Sequence, residues 1–196
     1  MQIVGVDEAG RGPLAGPVAV GVVLVEEGYD ILAAFPGLND SKKLTEKKRE
    51  VLFALLQEKI RAGEIRSTVC LSSASMIDGK GMTAAIRSAL DRGVRKLLPN
   101  VSEGKVFLDG SLKAPVEYEQ ETVIGGDALI PAIMLASVAA KVTRDRLMHK
   151  LALEYPQYGF EVHKGYGTKA HFAAIREHGT CPEHRQLFLR KFSQDK

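Results

Sequence analysis

The sequence has little cysteine and lacks the long apolar runs of a membrane protein. Its two cysteines, Cys70 and Cys181, form no C-x-x-C pair, which excludes a disulfide framework and fits a reducing compartment. No stretch approaches the ~18 consecutive apolar residues that a membrane span needs. The start, MQIVGVDEAG, carries acids where a secretory signal has a basic flank, so a cytoplasmic location is expected.

Composition indicates a folded domain with an uneven distribution of charge. Of the 196 residues, 45% are apolar and 26% are charged, which is typical of a globular protein and excludes a disordered chain. The net charge of +3 combines one basic and five acidic residues in 1–35 with eleven basic and six acidic residues in 139–196. This asymmetry favours metal binding near the start and polyanion binding near the end, although random variation in surface charge explains it equally well.

The apolar pattern predicts five strands and three long helices. Short β-branched runs predict strands at 2–6, 17–25, 65–71, 105–109 and 122–126. Helical spacing predicts helices at 46–62, capped by Thr45, at 82–98, and from Asp127 to Tyr155, where the first turn tolerates Pro131. This order predicts an α/β or α+β domain with a mixed sheet, followed by a basic helical segment.

Four acidic residues stand at the ends of predicted strands. Asp7 and Glu8 follow the first strand, Asp109 ends the fourth, and Asp127 follows the fifth. Each acid alone is explained as well by a turn or a helix cap. Together, carboxylates from three segments suit Mg²⁺ or Mn²⁺, and a site with two such ions performs phosphoryl transfer without a covalent intermediate.

Three other motifs suggest different chemistry, and the sequence argues against each. The glycines of DEAGRGPLAG are similar to a dinucleotide-binding turn, but a strand follows them and two acids would repel a phosphate. His178, Cys181 and His184 could be zinc ligands, but no fourth ligand is near in the sequence. Ser137 and Lys141 could form an acyl-transfer dyad, but no oxyanion loop accompanies them.

Basic and aromatic residues supply a candidate surface for a nucleic acid. Tyr166 stands between two glycines and could present its ring for stacking on a sugar or base. Candidate phosphate contacts include Ser41, Lys42, Lys43, Arg144 and Lys164. Each of these residues alone is also explained as a solvated surface residue.

Several stretches of the sequence resemble ribonuclease HII, the bacterial type-two ribonuclease H. They keep the family's order over nearly the whole chain: GVDEAGRGPLAGPV (5–18), GLNDSKKL (37–44), LDG (108–110), GD (126–127), ASVAAKVTRDR (136–146), YPQYGFEVHKGYGT (155–168) and HGTCPEHR (178–185). The resemblance implies an α/β chain with an RNase H-like fold, a mixed five-stranded sheet flanked by helices. Residues 1–155 would form the catalytic domain, and residues 156–196 a C-terminal helical segment of the same unit that contributes to substrate binding.

The resemblance also implies an activity and a role for particular residues. Members hydrolyse the RNA strand of RNA–DNA hybrids and incise 5′ of single ribonucleotides in duplex DNA, leaving 3′-hydroxyl and 5′-phosphate ends. The implied ligands of two Mn²⁺ or Mg²⁺ ions are Asp7, Glu8, Asp109 and Asp127. The backbone of Gly10, Arg11 and Gly12 would recognise the ribose 2′-hydroxyl, and Tyr166 would pack against the sugar at the RNA-to-DNA junction.

Three positions depart from the family pattern, and two alternative functions stay open. Gly81, Gly125 and Leu187 stand where asparagine, lysine and serine are usual, which leaves phosphate affinity and C-terminal packing undetermined by the sequence. A monomer without membrane contact is expected, and a contact with a replication clamp is not readable from the sequence. The first alternative is a noncatalytic module that binds nucleic acid through the basic C-terminal part. The second, more distant alternative is a dinucleotide-dependent oxidoreductase.

Overall fold

A mixed five-stranded sheet forms the centre of the molecule in a computed structural model that describes residues 1–190. The strands are β1 (Gln2–Ala9), β2 (Val18–Glu26), β3 (Arg66–Ser72), β4 (Gly104–Asp109) and β5 (Glu119–Val123), in the order β3-β2-β1-β4-β5. β1 pairs with β2 and β2 with β3 antiparallel, whereas β1, β4 and β5 are parallel. The predicted mixed five-stranded sheet is therefore confirmed.

Nine α-helical segments surround this sheet within residues 1–190. They are α1 (Ile31–Ala34), α2 (Glu46–Arg61), α3 (Ala74–Lys80), α4 (Met82–Leu97), α5 (Gly126–Leu129), α6 (Pro131–Glu154), α7 (Phe160–His163), α8 (Lys169–His178) and α9 (Gln186–Leu189). Thr45 caps α2 as expected, because its hydroxyl accepts a hydrogen bond from the backbone N–H of Lys48 at 3.3 Å. None of the helices in this described part is both long enough and apolar enough to cross a membrane.

The two faces of the sheet bury separate apolar clusters. α4 covers one face, where Leu90 and Val94 pack with Val6 and Val22. α6 covers the other face and approaches the strands so closely that a Cβ on Gly21 would lie 2.2 Å from the carbonyl oxygen of Ala136. A side chain at position 21 would therefore push α6 away from the sheet.

Three predicted boundaries near the acidic residues differ from the structure. β1 continues to Ala9, so Asp7 and Glu8 lie within this strand and do not follow it. β5 ends at Val123, because Gly125 adopts φ +68° and α5 begins at Gly126. The single helix expected from Asp127 to Tyr155 is divided at Ile130, which is extended, as a residue before proline prefers to be. Pro131 then occupies the first turn of α6.

The C-terminal segment packs against the end of α6 and the loop after β1. Its cluster joins Ala15 and Met148 with Phe160, Ile175 and Leu189. The backbone of Ala15 also forms an isolated antiparallel bridge with His184. The division at residue 155 stays a prediction, and positions 191–196 of its second part lie outside the described residues.

Candidate active site

The four acidic residues lie at one edge of the sheet, where three parallel strands end. Val6 pairs with Leu108, so Asp7 of β1 lies beside Asp109, the last residue of β4. Asp109 in turn pairs with Val123 at the end of β5, and Asp127 follows four residues later, in the first turn of α5. The carboxyl ends of adjacent parallel strands form the edge at which sites in open α/β sheets gather.

Asp7 is buried among other acids. Its side chain faces α6, its residue is 4% exposed, and its Oδ1 accepts the backbone N–H of Glu8 at 2.7 Å. Burial raises the pKa of Asp7 to about 7, the charges of Glu8 and Asp109 add to that rise, and a hydrogen bond with Ser137 opposes it. This carboxyl therefore ionises at a high cost unless a positive charge comes near it.

Glu8 has a cation beside it. Arg11 places its Nη2 at 3.0 Å from Glu8 Oε1. Burial raises the pKa of Glu8, the Arg11 guanidinium opposes the rise, and the charge of Asp109 adds to it. Since adjacent strand residues point to opposite faces, Glu8 leaves the sheet on the α4 side and Asp7 on the α6 side.

Asp109 and Asp127 contact each other through the backbone, and a lysine binds the second. The N–H of Asp127 donates to Asp109 Oδ1 at 3.3 Å. Lys42 donates from Nζ to Asp127 Oδ2 at 2.8 Å, and this hydrogen bond raises the pKa of Lys42. A cation from the loop before α2 thus neutralises one of the four acids.

The acids are neighbours without forming a finished metal site. Within residues 1–190, no group of three or more His, Cys, Asp or Glu side chains is arranged to hold a metal ion. The same finding applies to the zinc alternative, in which His184 Nδ1 instead accepts from Cys181 N–H at 2.9 Å. The donor chemistry at the sheet edge still fits a hard cation, because it consists of carboxylate oxygens alone.

Two buried arginines hold the loop between β1 and β2, residues 10–17, through hydrogen bonds to its backbone carbonyls. Arg185 donates to the carbonyls of Gly10 and Pro13 at 2.7 and 2.8 Å. Arg144 donates from Nε to the carbonyl of Pro17 at 2.9 Å and from its two Nη atoms to the carbonyls of Ala15 and Lys164. The expectation that Arg144 contacts a phosphate is wrong, because its guanidinium is buried and engaged by backbone oxygens.

Tyr166 lies beside this loop on the surface. A Cβ on Gly12 would be 3.8 Å from the Tyr166 ring, and Tyr166 is 44% exposed. The Leu14 N–H donates to the carbonyl of Gly165 at 2.8 Å, which joins the two segments. The structure therefore brings Gly12 and Tyr166 together across 154 positions of sequence.

The remaining candidate phosphate contacts differ in exposure. Lys42 and Lys43 are both exposed, and Lys42 reaches the acidic edge at Asp127. Ser41 is buried, with its hydroxyl 2.7 Å from the hydroxyl of Ser137, and Lys164 is buried with its Nζ bonded to the carbonyl of Glu161. Ser41 and Lys164 are thus corrected from surface contacts to internal ones, since their polar atoms already have partners.

Sequence reasoning missed other basic residues near the site. A groove of about 280 Å³ is lined by Arg11, which pairs with Glu8, and by Arg87 and Lys113, among others. Arg87 lies within the regular pattern of α4 and Lys113 in the loop after β4, so no motif marks them. Arg185 was also missed, although it follows His184 in one of the stretches that carry the resemblance.

Comparison with known proteins agrees with this geometry. The family model for ribonuclease HII matches residues 4–194. Ribonuclease HII of Polaromonas sp. strain JS666 is 46% identical over 186 residues, covering 95% of this chain and 88% of that protein. The crystal structure of ribonuclease H2 from Pyrococcus horikoshii OT3 has a TM-score of 0.74 at 25% identity, covering 100% of this chain and 98% of that one.

A more distant structure shows the same fold. Bst-RNase HIII in complex with Mn²⁺ has a TM-score of 0.68 at 16% identity, covering 96% of this chain and 64% of that one. The fold is accordingly RNase H-like, as the resemblance to the family implied. The chain therefore belongs to the ribonuclease HII family and is a hydrolase of the ribonuclease H type.

Proposed function

We propose that this ribonuclease H hydrolyses the RNA strand of RNA–DNA hybrids and also incises 5′ of a single ribonucleotide embedded in duplex DNA. The products would carry 3′-hydroxyl and 5′-phosphate ends. The observation that carries the proposal is that Gly12, four residues after Glu8 in the loop that follows β1, lies next to the exposed Tyr166. A surface that reads one sugar and an acidic edge that acts on the next phosphate are therefore adjacent.

The sugar-reading surface suits a 2′-hydroxyl. This group donates and accepts hydrogen bonds and distinguishes RNA from DNA at a single position. Gly12 has no side chain to block close approach to the backbone, whereas the position of a Cβ on Gly10 is taken by the buried Arg144. The Tyr166 ring offers an apolar face for the sugar of the neighbouring nucleotide. One ribonucleotide would satisfy this surface, since it needs only one hydroxyl.

The acidic edge suits a pair of divalent ions. We propose that these four acids, Asp7, Glu8, Asp109 and Asp127, hold two divalent ions, either Mg²⁺ or Mn²⁺. Mn²⁺ is the ion in the Bst-RNase HIII complex. When bound, such ions activate the attacking water and stabilise the leaving oxygen. Two of the acids already pair with cations, Lys42 and Arg11, and these pairs support the proposal that positive charge stabilises this edge.

The basic side chains would hold the phosphates. Lys42 would leave Asp127 and, together with its exposed neighbour Lys43, contact the backbone of the nucleic acid. Ser137 would keep Asp7 in place through its hydrogen bond. Arg11 would balance Glu8 and lie along the basic groove.

A nicking assay tests the proposal. The protein is incubated with Mg²⁺ or Mn²⁺ and an end-labelled DNA duplex that contains one ribonucleotide, with an all-DNA duplex and an RNA–DNA hybrid as controls. We expect a single nick 5′ of the ribonucleotide, cleavage of the hybrid, and an intact DNA duplex. Hybrid cleavage without the nick would refute the single-ribonucleotide activity. Salt-sensitive binding without any metal-dependent cleavage would favour the noncatalytic module.

A further inference from the structure

Arg185 forms an unusual set of hydrogen bonds for a buried cation. Its three nitrogens donate to four backbone carbonyls: Nε to Gly16 at 2.9 Å, Nη1 to Arg11 at 3.1 Å and Pro13 at 2.8 Å, and Nη2 to Gly10 at 2.7 Å. The residue is fully buried, and burial lowers its pKa to about 9. Such a desolvated charge is costly, and here backbone oxygens of the sugar-reading loop compensate for it.

These bonds fix the direction of two backbone amides. In a trans peptide unit the carbonyl and the following N–H point in opposite directions, and residues 1–190 contain no cis peptide bond. Because the carbonyls of Gly10 and Arg11 point toward Arg185, the N–H groups of Arg11 and Gly12 point away from it. Arg185 thus orients the amides that are proposed to read the sugar.

His184 is linked through His171 to Tyr166, the other element of the sugar-reading surface. Its Nε2 lies 3.1 Å from His171 Nε2, and His171 Nδ1 lies 2.9 Å from the carbonyl oxygen of Tyr166. The tautomers follow from the partners. Since the Tyr166 carbonyl only accepts, His171 donates to it and accepts from His184, whose Nδ1 accepts from Cys181 N–H. Both rings are therefore neutral and form one directed chain to Tyr166.

The segment that carries both residues is anchored to the loop and to α3. The N–H of Arg185 donates to the Leu14 carbonyl at 2.7 Å, and the N–H of Gly16 donates to the Glu183 carbonyl at 2.8 Å. Asp78 of α3 accepts the N–H groups of Gln186 and Leu187 at 2.8 and 2.9 Å. His184 and Arg185 are therefore held from both sides and can transmit a fixed geometry.

We propose that the consecutive residues His184 and Arg185 are positioning residues that set the spacing and orientation of the Gly10–Gly12 backbone relative to Tyr166. Neither residue touches the substrate. The inference rests on the proposed function of those two elements. The positioning should matter more for one substrate than for the other. A duplex with one ribonucleotide can be cleaved in only one register, whereas every register of a long hybrid presents a 2′-hydroxyl. Loss of this positioning should therefore reduce cleavage of the single-ribonucleotide duplex more than cleavage of the long hybrid.

The first test compares Arg185→Lys with Arg190→Lys. Lysine keeps the charge at position 185 but has one nitrogen, which cannot replace three nitrogens that serve four carbonyls. Arg190 is exposed in the same segment and serves as the matched control. In folded Arg185→Lys, we expect kcat/KM to fall ~10-fold on the single-ribonucleotide duplex and less than ~3-fold on a long hybrid. Arg190→Lys should leave both values unchanged.

A second test uses His184 and stays informative if Arg185→Lys does not fold. Glutamine can place its amide N–H near the position of the histidine Nε2–H, whereas leucine cannot donate to His171. We expect His184→Leu to lose the same selectivity and His184→Gln to recover most of it. Circular dichroism and Tm measurements identify which variants are folded at the assay temperature.

The outcomes separate this inference from the proposed function. If the wild-type protein makes no nick at a single ribonucleotide, the proposed function fails and the inference fails with it. If the wild type nicks but the folded variants lose activity equally on both substrates, or lose none, His184 and Arg185 are only structural. That result would overturn the inference and leave the proposed function standing.

Discussion

Replacing Asp7 with asparagine changes the charge of the most buried acid at the active edge while keeping its shape. In the metal-free protein, the pKa of Asp7 is raised from 3.8 to about 7, with burial as the largest cause. Below pH 3.8 the carboxyl is protonated in folded and unfolded chains alike. As the pH rises from 3.8 to 7, the folded chain keeps a proton that the unfolded chain has lost. The free energy of unfolding therefore falls through this window.

The magnitude follows from the shift. Each pH unit between the unfolded and folded pKa values lowers the free energy of unfolding by about 1.4 kcal/mol. The rise from pH 5 to pH 7 therefore destabilises the wild-type protein by roughly 3 kcal/mol. Asparagine does not titrate and avoids this loss. The stability of Asp7→Asn relative to wild type should thus increase by roughly 3 kcal/mol from pH 5 to pH 8. In a chain of this size that equals roughly 5–10 °C in Tm.

The assay is thermal unfolding in a chelator at several pH values between 5 and 8. Asp30→Asn is the matched control, because Asp30 is exposed and its cap on α1 is one that asparagine also provides. Added Mg²⁺ should raise the Tm of the wild type more than that of Asp7→Asn, since the ion removes the same electrostatic cost. A Tm difference that is independent of pH would refute the reasoning from burial.

Three further predictions concern activity and folding. Asp109→Asn should lower kcat by roughly 100-fold or more while hybrid affinity, measured by fluorescence anisotropy, stays largely intact, and near-normal turnover would contradict the four-acid assignment. Tyr166→Ala should lose roughly 10-fold more kcat/KM on the single-ribonucleotide duplex than on a long hybrid, and equal losses would argue against a role at the junction. Gly10→Ala should lower the free energy of unfolding, measured in urea, by roughly 1–3 kcal/mol. The reason is that Gly10 has φ +90° and that a Cβ there would lie 2.1 Å from Arg144 Nε. Unchanged stability would contradict that geometry.

The sheet and its acidic edge could be predicted from the sequence because both depend on local signals. Apolar β-branched runs mark the strands, and Asp7, Asp109 and Asp127 stand where those runs stop. Two of the helix boundaries depend equally on local chemistry, namely the Thr45 cap and the Pro131 start. The break at Ile130 was missed, since a proline is compatible both with a first turn and with an interruption.

The role of each basic residue could not be read from the sequence. Arg144 belongs to a run rich in charge, but α6 is buried along most of its length and turns this side chain under the loop of residues 10–17. Ser41 is internal because its hydroxyl bonds to that of Ser137 on α6, and Lys164 is internal with its Nζ bonded to the Glu161 carbonyl. Lys42, next to Ser41, is exposed and pairs with Asp127. Exposure depends on which elements pack together, and composition does not specify that.

The sequence by itself predicted the four candidate acids, because each stands where an apolar run stops, although β1 continues past Asp7 and Glu8 to Ala9. Only the tertiary structure decided that Arg185 and His184 reach back to Gly10 and, through His171, to Tyr166. The Arg185 to Gly10 bond spans 175 positions. Such contacts form in the folded chain, because a buried donor without a hydrogen-bond partner is costly and backbone carbonyls are the acceptors nearby.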